Sequence, residues 1–244
     1  MQLLFIGGVT HSKKMRHERR KQYRGYLKFF ERTFGVRAPF KVICDGNFLH
    51  HFVTHGMGAD VKELLRMLAT VFETEQIELF VTEAVLRELE DIGAEKTLAL
   101  AKQLEPLRVG KSLEESRAMD PPLAIKKLVG FINKRRYVVA TQDEELRQIL
   151  RDIPGVPLLF LQRVLVGLEA PSAKSHEFWS KQEQKKLQAG KEERKRLKVL
   201  ETAAKSEEDA STEQDKGKKN KRSANDDEPT RKRKRTKKSH HPQA

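Results

Sequence analysis

A single cysteine, Cys44, stands in 244 residues. That scarcity excludes an internal disulfide and every zinc site that needs several thiolates, and it suits a reducing intracellular compartment. Long apolar runs are missing too. No segment approaches the roughly 20 apolar residues of a membrane span, and the opening MQLLFIGGV has no basic residue ahead of its short apolar stretch, so the expectation is a soluble, unsecreted protein. Acidic residues are outnumbered, 35 Asp and Glu against 49 Lys and Arg. The resulting net charge of +14 favours a polyanionic partner, nucleic acid first, over a small acidic substrate. With 37% hydrophobic residues the chain can build one ordinary domain but cannot be packed throughout.

Charge and apolar density divide the chain. Residues 1–14 read as an N-terminal extension without assigned function, and 15–38 as a basic helix. The stretch from Lys13 to Arg32 holds nine Lys or Arg against two Glu, with Tyr23, Tyr26, Phe29 and Phe30 interleaved. Residues 39–170 carry the apolar density of a folded domain, and Pro171-Ser172 marks a composition shift into a linker and a solvated helix, 171–204. The last segment, 205–244, holds almost nothing apolar and cannot recover the entropy of folding through burial. It is expected to be a disordered basic tail.

Strand-like and helix-like runs alternate inside the domain. FKVIC (40–44), IELFV (77–81), RYVVA (136–140) and VPLLFL (156–161) are short, nearly continuous apolar runs, as strands covered on both faces of a parallel sheet read. Helical spacing marks 61–72, 82–93, 97–104, 122–134 and 144–153, with Thr82 and Gly93 as start and stop signals of the second. An open, mostly parallel α/β sheet follows from the alternation, and in such sheets ligands collect outside the carboxyl ends of the strands.

That rule selects four carboxylates. Asp45 follows the first strand directly, Glu88 lies on the helix after the second, and Asp143 and Glu145 follow YVVA. Gathered at one edge they would repel, and a divalent cation of the Mg²⁺ or Mn²⁺ type is the usual remedy for such a set of hard oxygen donors. Each has a plainer explanation when taken singly: Asp45-Gly46 as a turn, Glu88 as part of a charged helix face, and Asp143 as a first-turn residue of a helix capped by Thr141 with Glu144. Only the coincidence of their positions argues for a site. His50, His51 and His55 read as packing or surface residues rather than ligands.

The order CDGNF, VTEAVLRELEDIG and YVVATQDEELRQILRDIPGVPLLFLQ, preceded by KMRHERRKQYRGYLKFFERTFGVRAPF and followed by LEAPS, resembles the PIN-domain proteins of eukaryotic small-subunit ribosome assembly over residues 13–173. The resemblance implies a Rossmann-like three-layer α/β/α domain in the nucleus and nucleolus, a member of the small-subunit processome. It would bind pre-ribosomal and small nucleolar RNA and act with other processome proteins in 18S-type rRNA maturation. The family's acidic set maps onto Asp45, Glu88, Asp143 and Glu145, with Asp45 and Asp143 as the Mg or Mn ligands of an active member. Two readings therefore stand side by side, an RNA-binding assembly factor and a metal-dependent endoribonuclease. This sequence departs from the family in 102–124, where relatives carry a Cys/His zinc module and this chain has neither residue, so no zinc is expected. RNA contact is assigned to Arg16, Arg19, Arg20, Lys21 and Arg24, whose cations suit phosphates, and RKRKRTKK (231–238) reads as a nuclear or nucleolar address and RNA tether.

Overall fold

The computed structural model describes the backbone of residues 7–55 and 60–219, and side chains from 18 to 202 apart from 56–59 and 189. The chain separates into two units, Met1–Gln184 and Lys185–Ala244. The first contains a six-stranded sheet in the order β3-β2-β1-β4-β5-β6, formed by β1 (Phe40–Cys44), β2 (Ile77–Thr82), β3 (Glu105–Leu107), β4 (Tyr137–Ala140), β5 (Leu158–Gln162) and β6 (Leu165–Leu168). All neighbours are parallel except β5 and β6, which pair antiparallel. The four expected strands are present, and two short edge strands join them. Glu105-Pro106-Leu107 escaped the apolar pattern because proline cannot donate to a ladder and is confined to sheet edges.

Period-two alternation sorts the strand side chains onto two helical layers. Val42, Cys44, Leu79, Val81, Val138, Ala140 and Leu159 share one buried cluster with residues of α2 (Gly46–Thr54), α3 (Val61–Phe72) and α5 (Glu95–Ala101). Ile43, Phe80, Tyr137, Val139 and Leu158 share the other with α7 (Pro121–Val129) and α8 (Glu144–Arg151). Between them α4 (Glu83–Ile92) sends Val85 and Leu89 to the first cluster and Ala84 to the second. Thr82 caps α4 by accepting from Val85 N, and Gly93 ends it at φ 72°, both as the sequence predicts. The short helix α6 (Leu113–Ala118) lies in the stretch that the sequence leaves unassigned.

The basic helix α1 (Gly7–Phe34) begins within the stretch read as an extension. Its aromatic residues face the domain: Phe30 is fully buried, Tyr23, Tyr26 and Phe29 are partly buried against the same cluster, and Phe34 stacks on Phe178 at 5.4 Å. Phe178 belongs to α9 (Ala173–Lys219), whose first turns lie inside the first unit. Ser172 and Ser175 secure that start. Ser172 Oγ accepts from Ser175 N, and the buried Ser175 Oγ accepts from Gly155 N at 3.0 Å. Gly155 sits at φ 81°, and a Cβ there would meet the Phe34 ring at 2.4 Å, so glycine is required on both counts. The folded unit thus reaches beyond Pro171. In the second unit α9 continues past residue 204 with Leu187, Leu197, Val199 and Leu200 exposed, and the basic run 231–238 lies outside the described residues.

Arg24 also ties α1 down, donating to both carboxylate oxygens of Glu73 at 2.9 and 2.7 Å, at the left-handed end of α3. Both partners are exposed, and such pairs add little to stability. Burial should dominate. Phe30→Ala is expected to lower the free energy of unfolding by about 3 kcal/mol, whereas Arg24→Ala leaves the urea midpoint nearly unchanged; the reverse ranking in urea melts would refute this account.

Candidate functional site

Strand order places a switch point at β1, with β2 and β3 on one side and β4 to β6 on the other. At such a point the connections diverge and leave a crevice outside the carboxyl ends. Asp45 stands there, one residue past β1, its N–H donating to Ala140 O at 2.9 Å and so extending the β1–β4 ladder by one bond. Its side chain is 4% exposed. Oδ1 accepts from Gly46 N at 2.8 Å, which caps α2, and Oδ2 accepts from the Thr141 hydroxyl at 2.7 Å.

Thr141 departs from its expected role. The helix that follows is capped by Asp143, whose Oδ1 accepts from Glu145 N at 2.9 Å, while Thr141 Oγ1 accepts from Asp143 N at 3.1 Å. The buried threonine therefore links the two aspartates: it donates to one side chain and fixes the backbone of the other. The helix begins at Glu144, so the N-cap falls on Asp143, and Thr141, two residues ahead of it, accepts from the Asp143 N–H instead of from a helix N–H.

Glu88 comes within the same neighbourhood from α4. Its Oε2 lies 3.2 Å from the point a Cβ on Gly46 would occupy, so the bare backbone of Gly46 admits the carboxylate. Burial pushes Asp45 up from 3.8 to about 6; the bonds from Thr141 and Gly46 oppose the rise, and Glu88 and Asp143 add to it. Glu88 is raised as well, first by burial and then by Asp120, with Arg87 opposing. Glu145 is placed differently. It is exposed in the first turn of α8, contributes its backbone N–H to Asp143, and has no part in raising Asp45.

Asp120 is the acidic residue the sequence reading missed. It occupies the N-cap position of α7 without making a capping bond; Pro121 and Pro122 have no N–H, which leaves only that of Leu123 as a partner, and the side chain does not take it. Its carboxylate is consequently left exposed and available beside Glu88. The available signal was MDPP: two prolines withdraw the N–H groups of the first two helical positions, so this aspartate has fewer capping partners than most.

The set fits a hard divalent cation by its chemistry. Asp45 is desolvated and faces two further carboxylates, and no Lys or Arg is among the groups acting on it. Among the described residues no three His, Cys, Asp or Glu side chains are gathered tightly enough to ligate one ion. A cation at this rim would therefore rest on one or two carboxylates, with water or phosphate completing its shell. The histidines form no such set: His51 and His55 stack at 3.7 Å, and His50 Nδ1 lies 3.3 Å from Thr97 Oγ1.

On the basic helix, Arg20 and Lys21 are exposed and Arg19 is partly so, while Arg24 is engaged by Glu73. The Arg16 side chain lies outside the described residues.

A mostly parallel sheet with a helical layer on each face, and carboxylates just past its switch-point strand, defines an open three-layer α/β protein. Residues 72–170 match the model of the Fcf1 family. The chain is 32% identical over 162 residues to the rRNA-processing protein utp23 of Schizosaccharomyces pombe, a match covering 65% of this chain and 59% of that protein. A solved structure described as the PIN domain endonuclease Utp24 superposes with a TM-score of 0.47 at 25% identity, covering 55% of this chain and 94% of that one. Over these stretches the chain is similar to the Fcf1 family and to the fission-yeast rRNA-processing protein. It spans 59% of that relative's length.

The buried charge has a measurable consequence. Because the folded-state value of Asp45 lies above its ordinary one, the native state binds the extra proton, and stability falls as pH rises from about 4 through about 6. The full shift corresponds to roughly 3 kcal/mol. Asp45→Asn should accordingly stabilise the protein by about 2 kcal/mol at pH 7.5 and by nothing at pH 4. Millimolar Mg²⁺ or Mn²⁺ should raise the wild-type Tm at pH 7.5 and leave the variant's unchanged. Calorimetric melts at both pH values test this, and a variant less stable than wild type at pH 7.5 would contradict it.

Proposed function

We propose that the protein is an RNA-binding ribosome-biogenesis factor of the small-subunit processome, acting in the nucleolus in maturation of 18S-type rRNA. Kinship with an rRNA-processing protein across the folded domain carries the reading. The charge pattern supports it. A net +14 and the exposed Arg20 and Lys21 on α1, with Arg19 beside them, suit the phosphates of pre-ribosomal and small nucleolar RNA. Arg16 belongs to the same block. Other processome proteins are its expected neighbours.

A second reading rests on a separate observation, the approach of Glu88, Asp143 and Asp45 at one rim, with Asp120 beside Glu88. They support a metal-dependent endoribonuclease. Asp45 and Asp143 would hold a Mg²⁺ or Mn²⁺ ion, which when bound supplies a water activated for attack on a phosphodiester and stabilisation of the leaving oxygen. The chain's own contribution is positional. Thr141 fixes Asp45 and the Asp143 backbone together, and Gly46 leaves room for Glu88.

The two readings separate in cells depleted of the endogenous protein. An Asp45→Asn, Asp143→Asn double variant should restore 18S-type rRNA production, and an Arg19→Gln, Arg20→Gln, Lys21→Gln variant should not. The latter should bind RNA about tenfold more weakly at 0.1 M salt with a flatter salt dependence. Loss of maturation in the acidic variant, together with Mn²⁺-dependent cleavage by the purified wild type alone, would establish the nuclease instead.

A further inference from the structure

A second concentration of positive charge lies at the opposite end of the sheet from the acidic rim. The linker between α1 and β1 and the turn before β4 enclose a cleft of about 410 Å³ lined by Arg37, Ala38, Pro39, Lys41, Lys134, Arg135 and Arg136. Five of its seven lining residues are cationic and none is acidic. Arg37, Lys41, Lys134, Arg135 and Arg136 are all exposed, and none forms a salt bridge among the described residues. Glu78, the register neighbour of Lys41 on β2, makes no ion pair with it either. Five unneutralised cations around one cleft repel one another and favour an anion between them.

The turn that presents three of these cations is built rather than loose. Asn133 is 3% exposed and makes three bonds: its Nδ2 donates to Tyr137 O and to Gly155 O, both at 2.7 Å, and its Oδ1 accepts from Tyr137 N at 2.8 Å. Arg136 N donates to Asn133 O at 3.0 Å, and Arg136 takes a left-handed φ of 61°. Its guanidinium lies against Gly35, where a Cβ would come within 3.3 Å. Arginine is an uncommon choice for a left-handed position that Gly or Asn fills more readily. Here the side chain is held over the end of α1 at the mouth of the cleft.

We propose that this cleft is a second RNA site, a clamp for the ribose-phosphate backbone that works apart from the α1 cations and from the acidic rim. The proposal rests on the RNA-binding reading above. Guanidinium forks and ammonium groups match phosphate oxygens, whereas the other lining residues, Ala38 and Pro39, have no polar side chain to read a base edge. The contact is therefore assigned chiefly to the backbone phosphates. With cations on α1 and at the amino end of the sheet, one RNA can be held at two places, and the effective concentration of each contact is raised by the other.

The test uses the full chain and a fluorescent 20-nucleotide single-stranded RNA of mixed sequence, titrated by anisotropy across a range of KCl. Lys134→Gln, Arg135→Gln, Arg136→Gly is the informative variant, since glycine accepts the left-handed backbone; Arg37→Gln, Lys41→Gln approaches the cleft from its other wall without touching the turn. Both should melt as the wild type does. The first should bind about tenfold more weakly at 0.1 M salt, with the slope of log K against log salt reduced by about 2, and the second should reduce it by about 1. Unchanged slopes in both cleft variants, with binding weakened only by the α1 substitutions, would overturn the second site and leave RNA binding standing. A wild type that does not bind RNA would remove both readings. A polyglutamate peptide competing as well as RNA of equal charge would assign the cleft to an acidic protein and also refute the proposal.

Discussion

The geometry of the rim depends on one bond, from the Thr141 hydroxyl to Asp45 Oδ2, made across the β1–β4 junction between residues 96 apart in the chain. It exists because β1 and β4 are adjacent and in register, Cys44 beside Ala140, so that the residues just past each strand meet at the same height. Slip either strand by one residue and every inward side chain would change faces while the pair separated. The bond holds a carboxylate buried that water would otherwise solvate. Through the same oxygen, Thr141 also receives Asp143 N and sets where α8 begins. Sheet register, helix start and acidic rim are thus one constraint.

Much of this was legible in the sequence for a simple physical reason. Strands covered on both faces must be apolar at nearly every position, so FKVIC, IELFV and YVVA stand out, and the alternation with helical spacing leaves few topologies. From strand order alone Asp45 and Asp143 fall on the carboxyl edge. Thr141 was misjudged because the helix starts two residues later than a capping box at Thr141 would set it, and the pairing of its hydroxyl with Asp45 is visible only in the tertiary structure. Asp120 was missed because an N-cap aspartate is ordinarily satisfied by its own helix; here the side chain makes no capping bond, and the consequence appears only once Glu88 is beside it. The start of α9 was placed outside the fold because its apolar residues are few. Phe178 and Ser175 are enough, since each meets a specific partner.

Positive charge on this protein divides into kinds that composition cannot separate. Arg24 is committed to Glu73, and Arg147 and Arg151 to Glu144 and Glu169, with Arg147 also lying over the Phe160 ring at 5.5 Å. These cations are partnered within the fold and contribute little to a field that RNA would sense. Arg20, Lys21 and the five around the cleft are exposed and unpaired among the described residues. The net charge is therefore a poor guide to the binding surface, and the pairing pattern a better one.

The acidic rim and the basic cleft oppose stability in the same way, by collecting like charges that a fold selected for stability alone would disperse. They differ in how the repulsion is accommodated. At the rim, burial raises Asp45 until a proton or a cation is favoured, so the cost depends on pH and on the ion. At the cleft, water screens the exposed Lys and Arg side chains, and the repulsion is relieved only when a polyanion arrives. Lying at opposite ends of the parallel strands, the two cannot neutralise each other, and the sheet keeps a fixed polarity. A polyanion held by the cationic surfaces would be guided by that polarity without needing the rim, so the proposed RNA binding would be separable from any chemistry at the carboxylates.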